Sequence, residues 1–532
     1  METVLKQKSC TSCHGNFSLT SEDQRILEKF QVPEPTFCPT CRNRRRLLFR
    51  NDRNYYPRTC DLCKKQIISI YSEEKQFPIY CKDCFWSDKF DPLAYGQDFD
   101  FTRPFFPQFA EMRAKLPRLA IFNSKSENSD YTVHSGGNKN CYMGSSIVDC
   151  QDTHYSDWAF YCKDSLDLYM CTSMELCYFC FASEKCYSAS YVELCENINF
   201  AYFCFDCRGS LNLLGCVGLR GKTNFVLNHQ VTSEEFEKYL NAFQNDQTYR
   251  ATFLKQYEQL KLAMPKPQMW EKNCENSTGN YLANTRNASL CFDSKDLEDV
   301  RYGCDVGNMK DCCDVTRIAT GEMLYECKAI IDTKFSKFCN LCYYSSNLQY
   351  CDNCQNSHDN FGCMSLKNNR NCILNKQYNK EEYEALVPRI IEHMKRTQMR
   401  GEGEAHADAC VEYGEFFPEE LSVYGYNETK AYDYFKLTKE QALSAGYKWK
   451  DKSPRQYQPA TTTPALAGAS PLEIPETIIK EILACATCGK NYRIIPYELK
   501  FYRTQKISLP KTCPDCRHYE RVGWQNPRFL WA

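Results

Sequence analysis

Twelve cysteines of this chain fall into three matched sets, each a Cys-x-x-Cys pair answered by a second such pair. The sets are Cys10/Cys13 with Cys38/Cys41, Cys60/Cys63 with Cys81/Cys84, and Cys485/Cys488 with Cys513/Cys516. The first and last sets share an inner spacing of 24 residues, and the second has 17. Four thiolates supplied as two tight pairs are what tetrahedral zinc takes in a structural site. With all four positions filled by protein, no place is left for a reacting water. The pattern predicts three closed zinc sites as the cofactor content, with zinc modules at both ends of the sequence.

The chain has 36 cysteines in 532 residues, so 24 lie outside these sets. The opening METVLKQKSC has no apolar core of a secretory signal, and no apolar run is long enough to span a bilayer. Both point to a soluble, cytoplasmic chain without membrane contact, whose thiols are reduced and not disulfide-bonded. Formal net charge is -1, so any nucleic-acid contact must come from local patches. The 36 Tyr and 32 Phe favour strands and flat, stacked cores over a helical bundle.

From about residue 140 the other cysteines repeat. Cys141/Cys150, Cys162/Cys171, Cys186/Cys195 and Cys207/Cys216 are each nine apart, and the pairs start 21, 24 and 21 residues after one another. A 21–24-residue period without helix signals predicts coils of a parallel β-solenoid, with cysteines stacked in internal ladders as small buried hydrophobes. A larger duplication aligns 180–240 on 327–387 at an offset of 147, with Cys180/Cys327, Cys195/Cys342, Cys204/Cys351, Cys207/Cys354 and Cys216/Cys363 coinciding. Each copy leaves through a strand (225–228; 372–375) into a helix with a capping signal and acids in its first turn (234–242; 380–395). Another helix is expected at 248–263.

The fold class expected is mainly β with short helices: zinc-ribbon or treble-clef-like modules flanking a duplicated, cysteine-rich parallel β-solenoid. The divisions are 1–58 (first zinc module with an Arg-rich segment), 59–90 (second module) and 91–129 (an aromatic wrapping segment with a helix at 105–116). There follow 130–265 and 266–400 (solenoid blocks with closing helices), 401–452 (a small polar and aromatic unit with a helix at 438–445), 453–476 (a flexible linker) and 477–532 (third module).

Beside the first module runs CRNRRRLLFRNDRNYYPR, with Arg42, Arg44, Arg45, Arg46, Arg50 and Arg53 among Phe49, Tyr55 and Tyr56. Arg517 and Arg521, near Trp524, repeat the theme at the other end. Arginine beside exposed aromatics suits phosphate contact and base stacking, so these arginines are candidates for a nucleic-acid or ribonucleoprotein partner. The plainer reading pairs them with acids of the solenoid. Cys177/Cys180 with Cys204/Cys207, and Cys339/Cys342 with Cys351/Cys354, are further Cys-x-x-Cys pairs that adjacent coils would join into extra metal sites. CTSCH at 10–14 also satisfies the haem c attachment pattern, but Gly489 stands where His14 does in the matching third module.

The motif CPDCRHYER after a Cys-x-x-Cys, with IPYELKFY (495–502) between, resembles a probable zinc-ribbon family of uncharacterised bacterial proteins. CPTCRNRRRLLFRNDRNYY, ISIYSEEKQFPIYCKDCFWSDKFDPLAYGQDFDFTRPFFPQF and GEFFPEELSVYGYNETKAYDYF resemble large multi-ribbon proteins of small-genome bacteria. The resemblance implies zinc binding and carries no catalytic residues. The sequence has no P-loop, GxGxxG, HExxH or GxSxG. His134, His154, His229 and His358 read as structural polar residues, and Asp149, Asp152, Asp164 and Asp167 as turn residues. The function expected is a non-enzymatic zinc-binding adaptor with a protein partner. The alternative is a solenoid carbohydrate-active or sugar-binding protein with structural zinc only.

Overall fold

The computed structural model describes residues 3–314, 316–322, 325–328, 332–399, 410–462 and 474–528. Parts of the expected 401–452 unit and 453–476 linker lie outside the described residues.

Parallel pairing occupies two long stretches, 123–226 and, among the described residues, 271–373. In the first, Ser145 pairs with Asp157, Asp157 with Tyr169 and Tyr169 with Phe181, always twelve residues on. Other sides of the chain keep the same step, as in Lys139 with Gln151 and Tyr142 with His154. The chain therefore completes one circuit in twelve residues and lies down parallel on itself. The second stretch steps likewise, from Gly279 with Cys291 to His358 with Arg370.

Each circuit is four triplets, and the triplet has a fixed backbone logic. From Asn140 to Asp206 every third residue has φ between 44° and 58°. This left-handed conformation makes a corner, and among residues other than Gly it is cheapest for Asn and Asp. Asn140 stands at a corner, and so do Asp149, Asp152, Asp164 and Asp167, as the reading of these four as turn residues expects. Within a triplet, Lys139 donates its N–H to the Cys150 carbonyl (2.9 Å) and Asn140 to the Glu127 carbonyl (3.0 Å). The third N–H, of Cys141, is met by a side chain, Ser129 Oγ of the previous circuit, at 3.0 Å.

That third N–H explains the interior. A buried N–H without an acceptor costs about 1–3 kcal/mol. Ser, Asn and Cys supply one: Cys150 donates to Asn138 Oδ1 (3.0 Å), and Cys162 to Cys150 Sγ (3.4 Å). The thiol in turn donates to the carbonyl two residues back, as Cys150 does to Val148 (3.4 Å). Cysteine is small enough for the interior, largely apolar, and both a weak donor and a weak acceptor. The ladder cysteines from Cys141 to Cys216 are 0–2% exposed.

The 21–24-residue coil is corrected by this register: the circuit is twelve residues. Cysteine marks only some inward positions, and Ile147, Ala159, Leu168 and Val192 fill others. Counting cysteines alone skips circuits.

Both stretches exit alike. Val226 pairs antiparallel with His229, and Ile373 with Lys376. Leu227–Asn228 and Leu374–Asn375 make the two-residue turns, all four with positive φ. The helix Ser233–Asn245 then starts on a capping box from Thr232, and Lys380–Arg396 on one from Asn379. Phe236 and Phe243, with Phe253 of the helix Gln247–Ala263, cover Leu214 and Val226 at the open end of the first stretch. Tyr383, Val387 and Ile390 join Phe361 and Ile373 in the core at the end of the second. The wrapping segment folds as the helix Phe105–Lys115, whose Phe105 packs on Tyr350 and Phe361.

Cys150→Ser keeps an acceptor for Cys162 and is expected to change stability by less than about 1 kcal/mol. Cys150→Leu removes it and overfills the interior, and is expected to cost ~1–3 kcal/mol or more in thermal or denaturant unfolding. Equal stability of the two variants would refute the role given to the inward N–H.

Candidate metal centres

Each module presents its first cysteine pair from a knuckle with the same bonds. His14 donates its N–H to the Cys10 carbonyl (2.8 Å), Lys64 to Cys60 (2.9 Å) and Gly489 to Cys485 (2.9 Å). These three residues have φ of 58°, 63° and 74°. His14 is thus the knuckle's corner residue, equivalent to Gly489. The second pair sits at a helix start. Cys38, Cys81 and Cys513 cap the helices Pro39–Leu47, Lys82–Trp86 and Pro514–Gly523, where the helix dipole favours thiolates.

The thiols converge. Cys13 and Cys38 Sγ lie 3.9 Å apart, Cys63 and Cys81 3.8 Å, and Cys488 and Cys513 3.7 Å. A metal bound tetrahedrally at about 2.3 Å from each sulfur sets an edge of about 3.8 Å. In each set all four Sγ atoms lie within 4.8 Å of one another, so each can hold a metal ion. Backbone N–H groups steady the sulfurs, as from Cys38 to Cys10 Sγ (3.2 Å) and from Cys513 to Cys485 Sγ (3.2 Å). Burial pushes the Cys60 and Cys485 thiols up, but these N–H donors outweigh it and bring each down to about 7.

The extra pairs behave differently. Cys180 and Cys204 are two circuits apart with Val192 between, so Cys177/Cys180 and Cys204/Cys207 do not meet as a site. This corrects the expectation, which took a 24-residue spacing for one coil. Cys339/Cys342 and Cys351/Cys354 do lie on neighbouring circuits. Their thiols point to carbonyls, as Cys339 to Leu348 (3.5 Å) and Cys354 to Cys363 (3.6 Å). Among the described residues they form no group of converging metal ligands.

The arginines proposed for nucleic-acid contact face inward. Arg42, Arg45, Arg46 and Arg50 are at most 4% exposed, and Arg517 and Arg521 at most 1%. Arg42 pairs with Asp314 (2.6 Å), Arg45 with Glu326 (2.9 Å) and Glu415 (2.7 Å), and Arg46 with Asp314 (3.4 Å). Arg50 pairs with Asp52 (2.8 Å) and Arg53 with Asp515 (3.0 Å). Arg44 is half-buried, bonded to Ser12 Oγ (2.8 Å). At the other end Arg517 and Arg521 both reach the corner residue Asp167 at 2.8 Å. Guanidinium groups so committed are not a phosphate-binding face. The pairing with acids of the repeat is the arrangement present, and an Arg–aromatic run reads the same in sequence for either role.

The attachment crosses over. The first module grips the second stretch through Asp314 and Glu326, and the third grips the first stretch through Asp167 while its Arg528 also reaches Asp293 (2.7 Å) and Asp305 (2.5 Å) of the second. The first and third modules therefore sit on the flanks, while helices cover the ends.

Sequence reasoning missed the junction beneath them. Lys430 Nζ lies 2.5 Å from Asp157 and 2.6 Å from Asp433, and His518 Nε2 lies 3.2 Å from Asp433. Arg317 adds a bond to Asp157 at 3.0 Å. Asp157, Asp433 and His518 converge as metal ligands would, but the Lys430 ammonium already bridges the two carboxylates. No local signal could reveal this group, because its members come from segments far apart in the chain.

Among the candidate histidines, His154 is buried with its ring edge-on to Tyr497 at 4.4 Å. His134 lies 3.7 Å from Asp52, and His358 bonds Ser346 Oγ at 2.8 Å. His229 is exposed. No helix among the described residues is long and apolar enough to cross a membrane. No protein-family model matches the chain, and no curated protein does.

Asp167→Ala leaves Arg517 and Arg521 without their shared carboxylate and is expected to cost ~3–5 kcal/mol. Exposed Glu175→Ala should stay within about 0.5 kcal/mol, and a similar loss from both would remove the special weight of Asp167. Burial holds His154 down to about 4. The unfolded chain takes up that proton below about 6.5 and the folded chain does not, so this stability is intact above pH 6.5 and lost as pH falls toward 4. The loss should be at most on the order of 3 kcal/mol and flattened in His154→Gln, when melts of the two proteins are compared across that range.

Proposed function

We propose that the protein is a non-enzymatic zinc-binding scaffold. On this reading the two twelve-residue stacks are a duplicated parallel β-solenoid, and the three cysteine modules are treble-clef-like zinc sites that rivet its flanks. The carrying observation is the pairing of each terminal module's arginine helix with buried acids of the solenoid (Arg42 with Asp314, Arg517 with Asp167). Zinc fixes the knuckle, the knuckle fixes the helix, and the helix places the guanidinium groups. The metal then acts on the fold and not on a substrate.

Several features speak against the carbohydrate-active reading. The acids that might have acted as a catalytic pair are corner residues, and Asp167 is covered by two arginines. One surface open to a partner is the groove between the two stacks, about 220 Å³, walled by Trp158, Phe160, Trp270 and Tyr281 with Glu184 and Lys272 beside them. Half-buried aromatics beside charges of both signs suit a protein partner.

Metal analysis of the purified chain should find three zinc ions per molecule. Cys485→Ser should remove one of them and lower the melting temperature, because the third module then loses its hold on Asp167. Metal content near zero with an unchanged fold would sink the scaffold reading, and four or five zinc ions would restore the extra sites.

A further inference from the structure

A small cavity of about 40 Å³ lies between the helix Phe105–Lys115, the strand Arg118–Leu119 and the second stack. Arg113, Arg118, His134, Asn340 and Asp352 line it. Arg118 is 5% exposed, and its guanidinium lies over the Phe77 ring at 3.9 Å. Its Nε has no hydrogen-bond partner, and among the described residues no carboxylate pairs with it. Among the described residues the one carboxylate on the wall is Asp352, committed to Arg113 (3.1 Å) and to the Asn340 amide (2.7 Å).

A second basic side chain stands one rung away. Lys328 pairs with Asn340, and Asn340 with Asp352, at successive circuits of one ladder. Lys328 is fully buried, its Nζ has no hydrogen-bond partner, and it lies at 6.0 Å over the ring of Phe49, which also lines the cavity. His134 likewise has no hydrogen bond on either ring nitrogen.

The charge count around this cavity is unbalanced. Arg113 answers Asp352 and Arg50 answers Asp52, which leaves Arg118 and Lys328 without a carboxylate. Arginine cannot shed its proton, and an uncompensated buried charge costs several kcal/mol. A cavity of this size has room for a small ion with a water, since one water needs roughly 10–15 Å³. The Asp352 carboxylate and the unpartnered Asn340 Oδ1 border the same space, which disfavours a divalent oxyanion.

We propose that this cavity binds a small monovalent inorganic anion of chloride size, held by Arg118 with Lys328 behind it. The anion completes the charge balance where the wrapping helix meets the second stack. It is independent of the zinc sites and of the scaffold reading.

The test is a bromide-substituted crystal of the full chain, measured for anomalous scattering. A bromide peak within hydrogen-bond reach of Arg118 is expected. Water density there without anomalous signal overturns the proposal. In parallel, chloride should raise the melting temperature by roughly 2 °C or more over gluconate at equal ionic strength. That difference should vanish in Arg118→Met and shrink in Lys328→Met, and equal melting of the parent in both salts counts against the site. If neither variant folds, the bromide map and the parent's salt comparison still decide.

Discussion

One backbone N–H of the triplet points into the stack, and at many circuits a Ser, Asn or Cys side chain of the previous circuit receives it. A sheet ladder leaves no such remainder, because its donors alternate between neighbouring strands. Here two of three donors join the ladder and the third turns inward, as Lys139, Asn140 and Cys141 show. Filling the interior with leucine would strand these groups. Filling it with charged residues would cost more. Ser, Asn and Cys resolve the conflict, and the cysteine wealth of the chain becomes a hydrogen-bonding solution as much as a packing one.

The second level of order is electrostatic. Acids at corners and on inner faces would be costly if left alone, and the modules bring arginines to them. Arg517 and Arg521 share Asp167, while Arg42, Arg45 and Arg46 share Asp314 and Glu326. Neither side makes sense without the other: a buried carboxylate needs its guanidinium, and the guanidinium needs a helix fixed by four thiolates. Lys430, held between Asp157 and Asp433, ties the 410–452 region into the same system.

Much of this was legible. Four-cysteine spacing located the three candidate metal centres, and the capping signals at Thr232 and Asn379 located the closing helices. Every cysteine spacing noted in the repeats (9, 21, 24 and 147) is a multiple of three, so the triplet was in the sequence. It was hidden because Ser, Ala, Leu and Val share the inward position and dilute the pattern. The direction of the arginines was not legible. Periodicity shows that Arg42, Arg45 and Arg46 share a helix face, but only the distant acids show whether that face meets solvent or core. The Asp157–Lys430–Asp433–His518 junction left no local trace for the same reason.

The crossed attachment sets a timetable for synthesis. The first module emerges early, yet Asp314, the partner of its Arg42, lies 272 residues further on. The third module must reach back 350 residues to Asp167. A ribosome adding about 5–20 residues per second leaves the first arginine helix without its acids for roughly 15–60 seconds. During that interval a charged, apolar-backed surface is open in the nascent chain. Contacts of such long sequence separation also make final docking slow. The finished molecule locks only when its last module is made, so truncation near the C-terminus should expose the first stack even though every residue of that stack is present.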